Sequence, residues 1–196
     1  MTNSMSNTEF VTNLVESKFK VLSTEVLDKY QVSFEVKKED VHSLLSLLKT
    51  SGWIQLSYLS AVDWPNDNEF ELVYIVFNWD KAVHIQIRCR LDRETASMNS
   101  ILPIFPGCKY YEREAHEFFG IKFPGNPDHE KQLILEEWDD IPPLRKDFDP
   151  RAYSDRKFSK MEYKNDFVNK NGEVSKQDAR TKRYDDIDKL RTGGKK

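Results

Sequence analysis

The strongest constraint on the fold is a pair of neighbouring segments with different hydrophobic patterns. Residues 70–79 are apolar at almost every position, whereas residues 83–91 alternate strictly between apolar and polar side chains. The first pattern is typical of a strand inside a sheet. The second is typical of a strand with one face on a core and the other on solvent or a partner. Because only Asp80-Lys81 and one further residue separate the two segments, they are predicted to pair as antiparallel strands.

The segments before this pair complete the predicted body. Apolar residues at helical spacing predict helices over residues 8–19 and 41–50. Shorter runs predict strands over residues 19–26, 31–36 and 53–63. The order of these elements indicates an α+β fold, a two-layer domain in which a mainly antiparallel sheet packs on helices.

Two further helices are expected after the last strand. Residues 92–105 are expected to contain a short helix, ended at Pro103 and Pro106. Residues 109–119 place apolar side chains on one helical face, and Gly120 stands where a left-handed C-cap is expected.

Residues 110–148 combine aromatic side chains, turns and charges in a way that suits neither a simple core element nor a solvated linker. Pro142-Pro143 stiffens the approach to Arg145-Lys146-Asp147, and Phe148 flanks these charges on the other side. Stiff charges with apolar flanks suit an interface, because less entropy is lost on docking. A solvated charge run is the alternative interpretation. For Glu112-Arg113-Glu114, an internally paired structural helix and a partner contact are equally open.

The ordered motifs of this segment resemble a known family. They are Glu112-Arg113-Glu114, then Phe119-Gly120-Ile121-x-Phe123-x-Gly125-x-Pro127-Asp128, and then Leu144-Arg145-Lys146-Asp147-Phe148. Together they look like the signature of the 30-kDa subunit family of NADH–quinone oxidoreductase, which is respiratory complex I. This family includes subunits of energy-converting hydrogenases and F420H2 dehydrogenases. The sequence departs from the family pattern at Glu117, at Asn126 and over residues 129–131.

The resemblance implies a non-redox scaffold in the peripheral arm of a complex I-like membrane oxidoreductase. Such a subunit has no catalytic, cofactor-binding or metal-binding residues of its own. It would dock on the large quinone-site subunit beside the small iron–sulfur subunit. Those partners would hold the iron–sulfur clusters and the quinone, or a nickel–iron centre in hydrogenase relatives. The expected location is the cytoplasmic face of the cell membrane, as a peripheral protein.

The residues expected at the partner interface are those of the three motifs. They are Glu112, Arg113, Glu114, Phe119, Gly120, Phe123, Gly125, Pro127, Asp128, Leu144, Arg145, Lys146, Asp147 and Phe148.

Charge divides the chain into an acidic body and a basic tail. Residues 151–196 contain 14 Lys and Arg and 8 Asp and Glu, whereas the other 150 residues contain 16 and 25. We expect a globular body over residues 1–108, a docking segment over 109–148 and an extended arm over 149–196. From about Asp139 onward, large apolar residues are too few for this part to fold by itself. Aromatic residues of the tail, such as Tyr153, Phe158, Tyr163, Phe167 and Tyr184, are expected to anchor it on another protein.

Other functions receive little support from the sequence. His116 lacks a second histidine at zincin spacing, and Gly120–Gly125 lacks the Lys-Ser/Thr of a phosphate-binding loop. Cys89 and Cys108 are too few for an iron–sulfur or zinc site, and Cys89 is expected to be a small buried residue. A basic-tailed adaptor that binds nucleic acid is the alternative from another class. Acidic residues interrupt its basic tail, so no clean basic stripe forms.

Overall fold

The computed structural model describes residues 6–158, 167–168 and 174–175. The chain divides into two units at the bond between Pro150 and Arg151. The predicted anchors Tyr163 and Tyr184, and the side chain of Phe167, lie outside the described part.

The described residues of the first unit, up to residue 149, contain three α-helices and five strands. The helices are α1 (Asn7–Glu16), α2 (Val41–Thr50) and α3 (Cys108–Phe119), and a 3₁₀ turn (Lys38–Asp40) precedes α2. The strands are β1 (Ser23–Asp28), β2 (Gln31–Glu35), β3 (Gln55–Trp64), β4 (Glu69–Asn78) and β5 (Val83–Asp92). From Pro150 onward, the described elements are α4 (Pro150–Lys157) and the short strands β6 (Phe167–Val168) and β7 (Val174–Ser175). β6 and β7 pair in antiparallel fashion.

The five strands form one sheet in the order β1-β2-β5-β4-β3. Only β2 and β5 run parallel, and the other neighbouring pairs are antiparallel. The predicted meander of the last three strands is therefore confirmed, as is the mainly antiparallel sheet. β4 lies between β5 and β3, as its two-sided apolar pattern predicts.

All three helices contribute to one core on one face of the sheet. The alternating residues of β5 from Val83 to Leu91 are buried there, together with apolar side chains of the helices, such as Val11, Leu44 and Ala115. The intervening residues of β5 lie on the other face and are half-buried. The two-layer α+β architecture is therefore confirmed. No helix in the described part of the chain has the length and apolar composition that crossing a membrane requires.

The prediction of a short helix within residues 92–105 is wrong. The Asp92 carboxylate accepts hydrogen bonds from the N–H groups of Glu94 and Thr95, which turns the chain away from a helical path. Ser97 then forms a parallel bridge with Lys122, and the chain continues in turns to Cys108. A side chain that competes for backbone N–H groups has overridden the weak helical pattern.

Candidate functional site

Helix α3 is the frame of the candidate site. It ends at Phe119, and Gly120 follows with a φ of 82° and donates its N–H to the carbonyl of His116 at 2.7 Å. Glycine adopts this left-handed conformation without a steric penalty, so the helix and its predicted C-cap are both confirmed. Phe119 is buried beneath the cap, with its ring edge-to-face against Phe70 at a centroid distance of 6.1 Å. Phe123 is fully buried in the same core.

Glu112 is fully buried at the start of α3 and accepts four hydrogen bonds. The donors are Ser100 Oγ at 2.7 Å, Ile101 N at 2.9 Å, Cys108 Sγ at 3.2 Å and Asn126 Nδ2 at 2.8 Å. These partners come from the loop before α3, from α3 itself and from the turn after it. The carboxylate therefore joins three segments that are separate in the sequence, and it does so inside the protein.

The two cysteines lie in this buried region. Burial raises the pKa of the Cys108 thiol, and the neighbouring Glu112 carboxylate raises it further. Burial also raises the pKa of Cys89 to about 12. Both thiols are thus held in the unreactive protonated form, and Cys89 is the small buried residue that the strand pattern predicted.

The turn after α3 is locked by Asn126. Its side chain donates to Glu112 and to the carbonyl of Lys109, and its Oδ1 accepts from the N–H of Asp128 at 3.1 Å. Gly125, with a φ of 97°, precedes it and packs against Ser100. Pro127 is exposed at the tip of the turn.

Asp128 forms ion pairs on the outside of this turn. Its carboxylate lies 2.5 Å from Lys109 Nζ and also pairs with Lys131. These two ammonium groups lower the pKa of Asp128 to about 2. The turn is therefore tied to α3 by an internal network and by an external one.

Arg113 and Glu117 hold the segment that follows the turn. Arg113 Nε donates to the carbonyl of Lys131 at 3.2 Å, and its Nη2 donates to that of Gln132 at 2.6 Å. One turn later, the Glu117 carboxylate accepts from the N–H groups of Leu133, Ile134 and Leu135, at 2.9 to 3.2 Å. We call this arrangement the clamp, and it fixes residues 131–135 along α3.

Glu114 lies between the two residues of the clamp in the sequence. It is half-buried and has no hydrogen bond or ion pair within the described part of the chain.

A second group of contacts holds residues 144–147 to the body. The N–H of Leu144 donates to the carbonyl of Phe118 at 3.1 Å, and Arg145 Nε donates to that of Phe119 at 2.7 Å. Lys146 N donates to the buried Asp63 at 2.7 Å. The side chains of Leu144 and Lys146 remain exposed.

Asp63 and Arg93 form the anchor for this segment. Arg93 Nε lies 3.0 Å from the Asp63 carboxylate, and Arg93 Nη2 lies 2.8 Å from the Asp147 carboxylate. The two carboxylates raise the pKa of Arg93, although its burial acts in the opposite direction. Phe148 follows, with its ring centroid 5.4 Å from that of Trp138.

The structure thus brings the three signature motifs together around α3. The family model described as the 30 Kd subunit of respiratory-chain NADH dehydrogenase matches residues 34–154, which include all three motifs. The chain belongs to this 30-kDa subunit family.

Curated members of the 30-kDa family come from different complexes. The chain is 34% identical to the C subunit of NADH-quinone oxidoreductase from Moorella thermoacetica, over 58% of its own length and 76% of that protein. It is 31% identical to the C subunit of F(420)H(2) dehydrogenase from Methanosarcina mazei, over 58% of this chain and 73% of that one. It is also 32% identical to the C/D subunit of NADH-quinone oxidoreductase from Bdellovibrio bacteriovorus, over 74% of this chain and 26% of that protein.

Solved structures agree with this assignment. A chain of the membrane-bound sulfane sulfur reductase, an archaeal respiratory membrane complex, superposes with a TM-score of 0.72 at 30% identity. The match covers 86% of this chain and 98% of that chain. A trypsin-resistant fragment of Nqo5 superposes with a TM-score of 0.52 at 19% identity, over 62% of this chain and 98% of the fragment, and shares the fold.

Four residues that organise this family's signature were missed by the sequence analysis as site residues: Asp63, Arg93, Glu117 and Asn126. For one of them, the sequence itself indicates a buried contact. Asp63 lies on the same face of β3 as the buried residues Leu59 and Ala61, and a charged residue at such an inward position needs a buried partner. The other three depend on contacts between distant segments, which sequence spacing does not reveal.

His116 and His129 are in contact with each other. Their rings meet edge-to-face, with centroids 5.3 Å apart, and each Nδ1 lies within 2.9 Å of a backbone carbonyl oxygen. Because a carbonyl only accepts, each Nδ1 carries the proton. Within the described residues, no three His, Cys, Asp or Glu side chains are placed to hold a metal ion.

Proposed function

We propose that the chain is a non-redox scaffold subunit of a complex I-like membrane oxidoreductase. It docks through the surface that α3 and residues 131–148 form together. One observation carries this proposal: the clamp fixes the backbone of residues 131–135 and the Asp63–Arg93 anchor fixes that of residues 144–147, while side chains such as Leu144 and Lys146 remain exposed. A segment that is already fixed before docking loses little entropy when it binds.

The large quinone-site subunit is the proposed main partner, with the small iron–sulfur subunit beside it. The Bdellovibrio relative supports a partner from the same complex, because its name describes a joint C/D subunit and this chain matches only 26% of its length. A single polypeptide that contains both subunits keeps them in the same complex. In this proposal the iron–sulfur clusters and the quinone belong to the partner subunits, and this subunit supplies no cofactor or catalytic residue.

The proposed complex passes electrons to a quinone and couples this transfer to ion translocation, with this subunit peripheral on the cytoplasmic face of the membrane. The equivalent role in an F420H2 dehydrogenase or an energy-converting nickel–iron hydrogenase is the second candidate. It is favoured by the similarity to the Methanosarcina subunit and to the sulfane sulfur reductase chain. In each case the role of this subunit is assembly and positioning.

Affinity purification from solubilised native membranes tests the docking. We expect the tagged wild-type chain to co-purify with a large subunit and an iron–sulfur subunit. The Lys146→Glu variant should co-purify less, because it reverses an exposed charge at the docking surface while the backbone bond from residue 146 to Asp63 stays available. Lys20→Glu, an exposed lysine outside the motifs, is the matched control and should assemble normally. A wild-type chain recovered only as a monomer would contradict the proposal.

A further inference from the structure

The guanidinium of Arg145 occupies an unusual position at the carboxyl end of α3. Its Nε donates to the carbonyl of Phe119 at 2.7 Å, and its carbon lies 5.4 Å from the centroid of the Phe70 ring. Its Nη2 lies over Gly120, so close that a Cβ on that glycine would be 2.6 Å from it. The helix cap and the aromatic ring therefore hold the group in one orientation.

Arg145 has no carboxylate partner within the described part of the chain. The two nearby carboxylates, Asp63 and Asp147, pair with Arg93 instead. Burial lowers the pKa of Arg145, and the positive charge of Arg93 lowers it further. The only hydrogen bond of the guanidinium within the described residues is the one from Nε, so the Nη1 and Nη2 groups have no internal acceptor.

Arg113, which lies on α3 itself, is a useful comparison. It also bonds to backbone carbonyls, but it uses both Nε and Nη2 and so holds a segment of its own chain. Arg145 uses Nε alone. The planar guanidinium fork of arginine is suited to receiving a carboxylate or phosphate through two parallel hydrogen bonds.

We infer that the Nη edge of Arg145 receives a carboxylate side chain from the partner subunit. This inference rests on the proposed docking function and names the chemistry of the contact. A guanidinium that is already oriented, partly desolvated and not bonded to a carboxylate of the described residues gains more from such a partner than a freely solvated one.

The surroundings favour a single protein carboxylate over a polyanion. Residues 136–149 contain six acidic and two basic residues, so a membrane surface or a nucleic acid would meet net negative charge. Exposed apolar side chains lie close in sequence, at Ile141 and Leu144. Contacts that surround a central group and exclude water from it are typical of protein–protein interfaces.

Two variants of the full chain separate this role from a structural one. Arg145→Lys keeps the positive charge but loses the fork, and Arg113→Lys is the matched control for lost bonds to backbone carbonyls. Urea unfolding of each free chain measures stability, and co-purification over a series of salt concentrations measures assembly. We expect similar losses of stability for both variants. Assembly should weaken at least about tenfold more for Arg145→Lys. If assembly weakens to the same extent in both variants, in line with their losses of stability, the inference would be overturned.

A second measurement does not depend on assembly. Sodium acetate is titrated into the free full-length chain, and the NMR signals of the arginine Nε–H groups are followed. Acetate should shift the Arg145 signal and leave that of Arg113 in place, with sodium chloride as the control. Equal shifts for both arginines would overturn the inference. So would Arg145-dependent binding to vesicles of anionic phospholipid, since the group would then serve a membrane. If the wild-type chain fails to assemble while acetate still shifts the Arg145 signal, the docking proposal fails and the carboxylate site stands.

Discussion

At the residue scale, Glu112 illustrates how a motif residue can act inside its own chain. From the sequence it could be a helix-surface charge or a partner contact, whereas the structure gives it four donors and no exposure. Glu112→Gln would turn an amide N–H₂ toward groups that themselves donate. We expect a loss of about 3 kcal/mol in the free energy of unfolding, because buried donors would be left without acceptors.

Urea unfolding of the purified chain measures this loss, and Glu114→Gln is its control. The control changes the same residue type two positions away, at a carboxylate without a hydrogen bond in the described part of the chain. It should alter stability by less than about 0.5 kcal/mol. Equal effects of the two variants would show that the buried network contributes nothing specific.

Asp128 gives the turn a defined dependence on acid. Lys109 and Lys131 lower its pKa from 3.8 to about 2. The ionised form of Asp128 is thus favoured in the folded state. Its contribution to the free energy of unfolding is present above about pH 4 and is lost as the pH falls toward 2. The stability difference between wild type and Asp128→Asn should therefore be full near pH 6 and shrink below pH 4. Unfolding curves across this range measure it, and a stability difference that stays constant from pH 6 to pH 2 would contradict the prediction.

At the element scale, α3 presents different faces to the core and to residues 131–135. Glu117→Ala should release the N–H groups of Leu133, Ile134 and Leu135, because their common acceptor is gone. We expect faster hydrogen exchange at these three amides and unchanged exchange in β4 and β5, since a surface clamp can open locally. Glu114→Ala is the control on the same helix. Unchanged exchange at residues 133–135 would show that the clamp does not hold them.

The same helix shows what the sequence could predict. Its span, its apolar face and its glycine cap follow from local spacing, as do β4, β5 and α2, because each element has a strong period of its own. The short helix expected in residues 92–105 failed, since an aspartate side chain competed for the backbone there. Contacts such as Asn126 with Glu112, or Lys146 with Asp63, join segments 14 and 83 positions apart, and no local pattern encodes them.

At the scale of the whole molecule, the chain should separate near residue 150 under limited proteolysis. The signature segment is held to the body through Arg145, Lys146 and Asp147, whereas α4 buries none of its residues. We expect trypsin to cut the free chain at Arg151, Arg156 or Lys157 and to spare the bonds after Arg145 and Lys146. Mass spectrometry of the fragments identifies these sites.

A chain truncated after Pro150 extends this test from folding to assembly. All five strands of the main sheet and helices α1 to α3 lie before the cut, so its urea unfolding curve should match that of the first unit in the full chain. Its incorporation into the membrane complex should be weaker, since the basic tail is absent. Assembly equal to that of the full chain would assign docking to residues 131–148 alone, and an unfolded fragment would show that the body needs the tail to fold.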